Sequence, residues 1–346
     1  MSTVPVELPT TKAEKLKASE IVAASIEKKY GDGAVFDMMK QSKIIMPHIP
    51  TGIWTLDNYV LSIGGAPKGR ILEFFGPESS GKTTLALRII ASAQSEGGLC
   101  AVIDAENALD PSWAVTNGVN VRDLTVSQPD SGEEALDIAA MLIDSGAYSV
   151  IVVDSVSALV PKAELSGEIG DAHVGLQARL MSQGCRMLSS KVRRAGTILI
   201  FINQIREKIG ISWGSPETTS GGRALKFYSS VRMDVRRIAT LKDNELAYGN
   251  RVKLKCVKNK VGPPYREMDC DLLFNSGFSI AGDLFDAAVA KKIVDKSGAW
   301  FSYKDKRVGQ GRKNAIEFLL TQPEISDKIK SELETSTFGG NSGTKS

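Results

Sequence analysis

ILEFFGPESSGKTTLALRII, residues 71–90, is the stretch on which the architecture of this chain turns. The apolar run ILEFFG leads straight into G-x-x-x-x-G-K-[ST] at Gly76–Thr83, and a helix-forming segment follows at once. Strand, glycine-rich turn and helix in that order build a nest of backbone N–H groups at a helix N-terminus, which holds phosphate oxygens. Gly76, Pro77, Glu78, Ser79, Ser80, Gly81, Lys82, Thr83 and Thr84 are therefore expected to bind ATP. Lys82 is expected to reach the β/γ-phosphates and the Thr83 hydroxyl to meet Mg2+.

Outward from this motif the pattern repeats. LCAVIDAE (99–106), SVIVVDS (149–155) and TILIFINQ (197–204) are continuous apolar runs without alternation, the pattern of strands buried on both faces. Helices over about 82–95, 132–145 and 172–194 connect them, which predicts an α/β core around a mostly parallel sheet. VRMDVRRI (231–238) and RVKLKCVK (251–258) alternate apolar with polar and are expected to extend the sheet antiparallel. Two acids fall at strand ends, where open α/β sheets bind ligands. Asp154 is expected to hold Mg2+ through water, and Glu106 to polarise the attacking water.

The flanks read differently. Residues 12–29 place Leu16, Ile21, Ala24 and Ile26 among Lys and Glu, an amphipathic helix ended by Gly31. A segment rich in Pro and Gly follows, as a linker. Beyond residue 278, FDAAVAKKIV, the turn-rich SGAWFSYKDKRVGQG and one final helix NAIEFLLTQPEISDKIKSELE predict a small α+β domain with a Gly/Ser-rich tail. The expected organisation is 1–45, N-terminal helix and linker; 46–278, ATPase core; 279–334, small C-terminal domain; and 335–346, disordered tail.

Composition excludes several classes. The 346 residues are 42% hydrophobic and 24% charged, typical of a folded globular chain. Cys100, Cys185, Cys256 and Cys270 form no CxxC pair, and His48 and His173 cannot complete a zinc set. No apolar run reaches membrane-spanning length, so a reduced cytoplasmic setting without membrane attachment is expected. The formal charge of +3 does not by itself announce a polyanion partner.

Longer matches are more specific. GPESSGKTTLAL (76–87), VIDAENALDP (102–111), SQPDSGEEAL (127–136), VIVVDSVSALVPKAE (150–164), GEIGDAHVGLQAR (167–179), LIFINQIREKIG (199–210), GSPETTSGGRALKFYSSVR (214–232), VKNKVGPPY (257–265) and SGAWFSYKDKRVGQG (297–311) resemble the RecA recombinase family. The resemblance implies a RecA-like P-loop ATPase core whose N-terminal helix serves as a polymerisation arm. It implies an ssDNA-dependent ATPase that forms helical filaments and pairs single-stranded with homologous duplex DNA, and a co-protease role toward a self-cleaving repressor. A hexameric P-loop helicase and an ATP-binding regulatory filament without turnover share the nucleotide motif and remain open at this stage.

The same resemblance assigns residues. It implies that 168–175 and 205–220 are DNA-binding loops, with Val174, Arg206, Lys208, Ile209, Gly221, Gly222 and Arg223 among the contacts. Arg179, Ser182 and Arg186 share one helix face as a phosphate row. Gln204 becomes the γ-phosphate sensor, and Lys258 and Lys260 reach the neighbouring subunit's ATP. Asp110 and Trp113 take the adenine end, Trp113 standing where the family usually has Tyr. Phe227 is expected to pack into the adjacent subunit, and Arg236, Arg237, Lys253 and Lys255 to contribute to a secondary duplex site. Between 251 and 313 there are 14 Lys/Arg against 7 Asp/Glu, +7, which reads as a one-signed basic stripe. The family's acidic C-terminal run is missing, so weaker restraint of duplex access is expected.

Overall fold

The computed structural model describes residues 8–31, 34–35, 46–168, 175–207 and 217–338. It divides into two compact units, Met1–Met46 and Pro47–Ser346. In the first, α1 (Lys12–Tyr30) begins at Thr11, whose hydroxyl accepts from the Glu14 N–H while Glu14 caps in return, and it ends at Gly31. None of its residues is buried.

The second unit is built on a twisted sheet. In chain order it contains β1 (His48–Ile49), β2 (Ala66–Pro67), β3 (Ile71–Gly76), α2 (Lys82–Ser95), β4 (Leu99–Asp104), α3 (Pro111–Thr116), β5 (Leu124–Ser127), α4 (Gly132–Asp144) and β6 (Tyr148–Asp154). Then come α5 (Lys162–Leu165), α6 (Leu176–Ala195), β7 (Ile198–Glu207), β8 (Glu217–Thr219), α7 (Ala224–Tyr228), β9 (Val231–Asp243), β10 (Leu246–Asn259), β11 (Glu267–Leu273) and β12 (Gly277–Phe278). The main sheet has the order β12-β11-β10-β9-β3-β7-β6-β4-β5, with β8 on β7.

All pairings from β9 to β5 along this path are parallel. Both faces are covered by apolar clusters, one holding Leu85, Ile89 and Ile90 of α2, the other Leu136 of α4 and Leu188 of α6. This double burial is why the strands read as unbroken apolar runs. β9 differs from expectation: it joins β3 in parallel, and antiparallel pairing starts only at β10. The connection after β7 returns the chain to the end where the parallel strands begin, which fixes that direction.

The C-terminal part carries α8 (Ile280–Ala290), a three-stranded antiparallel sheet of β13 (Asp295–Ser297), β14 (Trp300–Tyr303) and β15 (Lys306–Gln310), then α9 (Arg312–Thr321) and α10 (Pro323–Phe338). The single final helix expected from sequence is two. Pro323 forces Gln322 out of helical geometry, to φ −126° and ψ 70°. α10 also runs to Phe338, past the expected start of the tail, while 339–346 lie outside the described residues. Trp54 is buried within this domain's core beside Phe285, and the Thr55 N–H donates to Asp283 Oδ2 at 3.0 Å.

Candidate functional site

β3 delivers the chain to the glycine-rich turn. A Cβ on Gly76 would stand 2.0 Å from the Val235 carbonyl oxygen, and Gly81 has φ 102°, so glycine is required at both. Gly81 heads α2 without a side-chain cap, which leaves that helix's first N–H groups and positive dipole end facing the turn. Lys82 is buried and curls back, donating to the carbonyls of Pro77 at 2.6 Å and Gly76 at 3.2 Å. Burial lowers its pKa, while Asp154, Glu106 and Glu78 pull the other way. The buried Ser80 hydroxyl has no partner among the described residues. An orphaned hydroxyl beside the uncapped N-terminus of a helix fits a phosphate oxygen. Pro77, Glu78 and Ser79 are exposed along the turn.

The acids meet beside it. The Thr83 hydroxyl donates to Asp154 Oδ2 at 2.7 Å. Burial pushes the Asp154 carboxyl up to about 6, with Glu106 and Asp104 adding to the rise. Such a carboxylate gains from a cation at its side. Glu106 is not on β4, as the strand ends at Asp104; it sits in the following turn, where the Ala105 N–H donates to the Asp154 carbonyl. Asp104 explains the stop, because its carboxylate accepts from the N–H groups of Ala108 and Leu109 and from Gln128, bending the chain away. The exposed Glu106 accepts from the Ser155 hydroxyl and from Gln204 Nε2, the latter at 2.9 Å.

A cleft of about 280 Å3 opens from the turn, lined by Ser79–Thr84, Trp113, Asn250, Leu272, Leu273 and Phe274. Asp110 caps α3 through the Ser112 N–H at 2.8 Å, and Trp113 Nε1 donates to the Thr84 hydroxyl at 3.1 Å. Asn250, Leu272, Leu273 and Phe274 were not legible as site residues, since they lie on or just after ordinary alternating strands. Asn250 carries a buried Oδ1 without a partner among the described residues.

The expected DNA contacts divide. Val174, Lys208 and Ile209 lie outside the described residues. Arg179 and Arg186 are exposed on α6, with Ser182 half-buried between them, and α6 contains no acidic residue. Gly221 and Gly222 have φ 78° and 74°, and the Gly221 N–H donates to Gln177 Oε1 at 3.2 Å. Added Cβ atoms there would stand 2.9 Å from Met181 and 2.8 Å from Ala178. Arg206 and Arg223 are exposed near the two ends of the second loop, and Arg237 is exposed on β9.

Other basic residues are held by partners. Arg236 binds Glu217 through both terminal nitrogens and Asp234 through Nε. The basic stripe expected over 251–313 is not one-signed where β10 pairs with β11, because register sets Asp271 opposite Arg251, Asp269 opposite Lys253 and Glu267 opposite Lys255. Lys253 and Lys255 both bridge to Glu267, at 2.9 and 3.3 Å. These three acids are among the seven already counted over 251–313, so the pairing leaves the net +7 unchanged and alters where the positive charge is exposed. Lys258 and Lys260 donate to the Phe227 carbonyl at 3.0 and 3.2 Å, Lys258 also to that of Lys226, and the Phe227 ring is exposed. Burial, with Lys260 and Arg232 nearby, brings Lys258 down to about 8.

The four cysteines are buried free thiols. Among the described residues no helix is long and apolar enough to cross a membrane.

A family model described as RecA N-terminal domain matches residues 17–279, and one described as RecA C-terminal domain matches 282–337. The chain is similar to Protein RecA of Clostridium tetani, 55% identical over 320 residues, covering 92% of this chain and 91% of that one. It is similar to Protein RecA of Rubrobacter xylanophilus, 54% identical with 92% and 93% covered. Against Protein RecA of Treponema denticola it is 54% identical, with 94% and 79% covered.

Proposed function

The chain belongs to the RecA family of DNA-dependent ATPases that exchange DNA strands in recombination and repair, and we propose that Gly76–Thr83, Glu106, Asp154 and Gln204 form its hydrolytic centre. The protein binds nucleotide, single-stranded DNA and duplex DNA, and assembles into filaments. The observation that carries the residue assignment is the convergence on one rim of the Thr83–Asp154 and Gln204–Glu106 hydrogen bonds, beside a lysine with its charge folded inward.

In this reading the N–H groups of the turn and of α2 bind the phosphates, and Lys82 exchanges the Gly76 and Pro77 carbonyls for phosphate oxygens. Thr83 and Asp154 would hold Mg2+, Asp154 through water, and the bound ion would supply neutralisation of charge between the β- and γ-phosphates. Glu106, steadied by Ser155, orients the attacking water and accepts its proton. Trp113 stacks on adenine with Asp110 nearby. Gln204 leaves Glu106 for the γ-phosphate and draws the second loop with β7, which links nucleotide state to DNA grip.

Lys258 and Lys260 act on the nucleotide of the next subunit, so hydrolysis requires assembly. Arg179, Ser182, Arg186, Arg206, Gly221, Gly222 and Arg223 serve the primary strand together with Val174, Lys208 and Ile209. Arg237, exposed on β9, serves the duplex together with Arg236, Lys253 and Lys255 once the carboxylate partners of those three yield them. Residues 1–45 act as the polymerisation arm, 46–278 as the ATPase core and 279–334 as the C-terminal domain. We place the protein in the cytoplasm and extend its role to promoting repressor self-cleavage. Phosphate release with and without single-stranded DNA, followed by strand exchange between a circular single strand and a linear duplex, tests the reading. It predicts DNA-stimulated release and exchange in ATP, both lost in Glu106→Ala.

A further inference from the structure

One face of the main sheet carries a row of polar side chains where its surroundings are apolar. Cross-strand register sets Glu73 of β3 between Phe201 of β7 and Arg232 of β9, and Arg232 beside Lys258 of β10. Asn203 lies two residues beyond Phe201 and so on the same face. The side chains are joined. Asn203 Nδ2 donates to Glu73 Oε1 at 3.0 Å and to the Ser220 carbonyl at 3.1 Å, and Arg232 Nε donates to Glu73 Oε2. Glu73 is fully buried, and the Arg232 guanidinium lies 4.6 Å over the Phe75 ring.

A buried ion pair contributes little net stability compared with well-packed apolar side chains, so its place here points to a positional task. The row's two ends support that. Asn203 precedes Gln204 on β7 and also holds Ser220, where the second loop returns to the sheet. At the other end Lys258 is set against the last carbonyls of α7, which carries Phe227.

We propose that Glu73 is a positioning residue that couples the nucleotide-sensing end of β7 and the close of the second loop to Lys258, through Asn203 and Arg232. The inference rests on the reading in which Gln204 senses nucleotide and Lys258 acts on the neighbouring subunit. A displacement of β7 moves Asn203, Glu73 transmits it to Arg232, and Arg232 sets how firmly Lys258 stays on the α7 carbonyls. The charged groups bearing on Lys258 are Lys260 and Arg232, which favour its neutral form, and Glu73, which favours the cation.

Glu73→Gln in the full-length protein tests this, since it keeps the shape and removes the charge. The kcat of DNA-dependent hydrolysis should fall about tenfold while KM for ATP changes less than about twofold. The alkaline limb of the kcat profile should move to lower pH, because Lys258 loses its nearby anion. Glu73→Asp should restore that limb. A folded Glu73→Gln with unchanged kcat, or with kcat and KM altered only in step with lost thermal stability, overturns the inference. If Glu73→Gln does not fold, Asn203→Ala replaces it: lost DNA stimulation with an unmoved alkaline limb supports the coupling, and retained stimulation overturns it. Lys258→Ala separates the two levels. If it keeps full DNA-dependent hydrolysis, the reading beneath the inference fails; if it loses hydrolysis while Glu73→Gln keeps it, the inference alone fails.

Discussion

Gln204 Nε2 donates to Glu106 Oε1 at 2.9 Å, so the residue proposed to sense the γ-phosphate and the residue proposed to activate water restrain each other. Replacing this bond with phosphate contacts would release Glu106 and shift β7 in one event. Gln204→Ala should therefore still bind nucleotide yet lose the increase in DNA affinity that an ATP analogue induces, by about tenfold or more. Anisotropy of labelled single-stranded DNA with and without the analogue measures it, and an undiminished increase would remove Gln204 from the coupling.

Glu106→Gln keeps the acceptor oxygen and removes the base. Phosphate release at saturating DNA should fall by a factor of about 100 or more, with nucleotide affinity held within about threefold. Release at the parent rate would require another base.

Trp113 borders the cleft and ties to α2 through the Thr84 hydroxyl at 3.1 Å. Trp113→Ala should raise KM for ATP about tenfold and change kcat little, because stacking on the base serves ground and transition states alike. A fall confined to kcat would contradict a base-stacking role.

Glu217 occupies Arg236 from the end of the second loop, at 3.0 Å to one terminal nitrogen. Glu217→Gln should free that guanidinium for phosphate, raising DNA affinity about threefold and steepening its salt dependence. Titrations at two ionic strengths read both effects; weaker binding would show that the pair orders the loop instead.

Burial pushes Asp57 up from 3.8 to about 7, with hydrogen bonds from the N–H groups of Thr51 and Gly52 opposing the rise. Its proton is thus held more tightly in the native state than in the unfolded chain. Ionisation costs stability progressively as pH rises through that window, and the full cost is present above it. Asp57→Asn should accordingly stabilise the protein more at about pH 8 than at about pH 5, by on the order of 2 kcal/mol. Urea denaturation at the two pH values reports it, and equal effects would place the Asp57 pKa outside the window.

By itself the sequence determined the glycine-rich turn, the parallel core and most of the residues that line the cleft beside the turn, because their causes are local. ILEFFGPESSGKT states strand, turn and helix within a few residues, and double burial of the sheet writes itself as unbroken apolar runs. The break before Pro323 was local too and open to the same reasoning. Tertiary structure decided what depends on chain segments far apart. Asp104, capping its own turn, moved Glu106 off the strand and into reach of Gln204. Pairing of β10 with β11 set acids against the basic stripe and brought Asn250 and Phe274 to the cleft. The same dependence places Asn203, Glu73, Arg232 and Lys258 in one row. Register is a relation between strands, fixed by how all of them pack at once, and no single strand's pattern carries it.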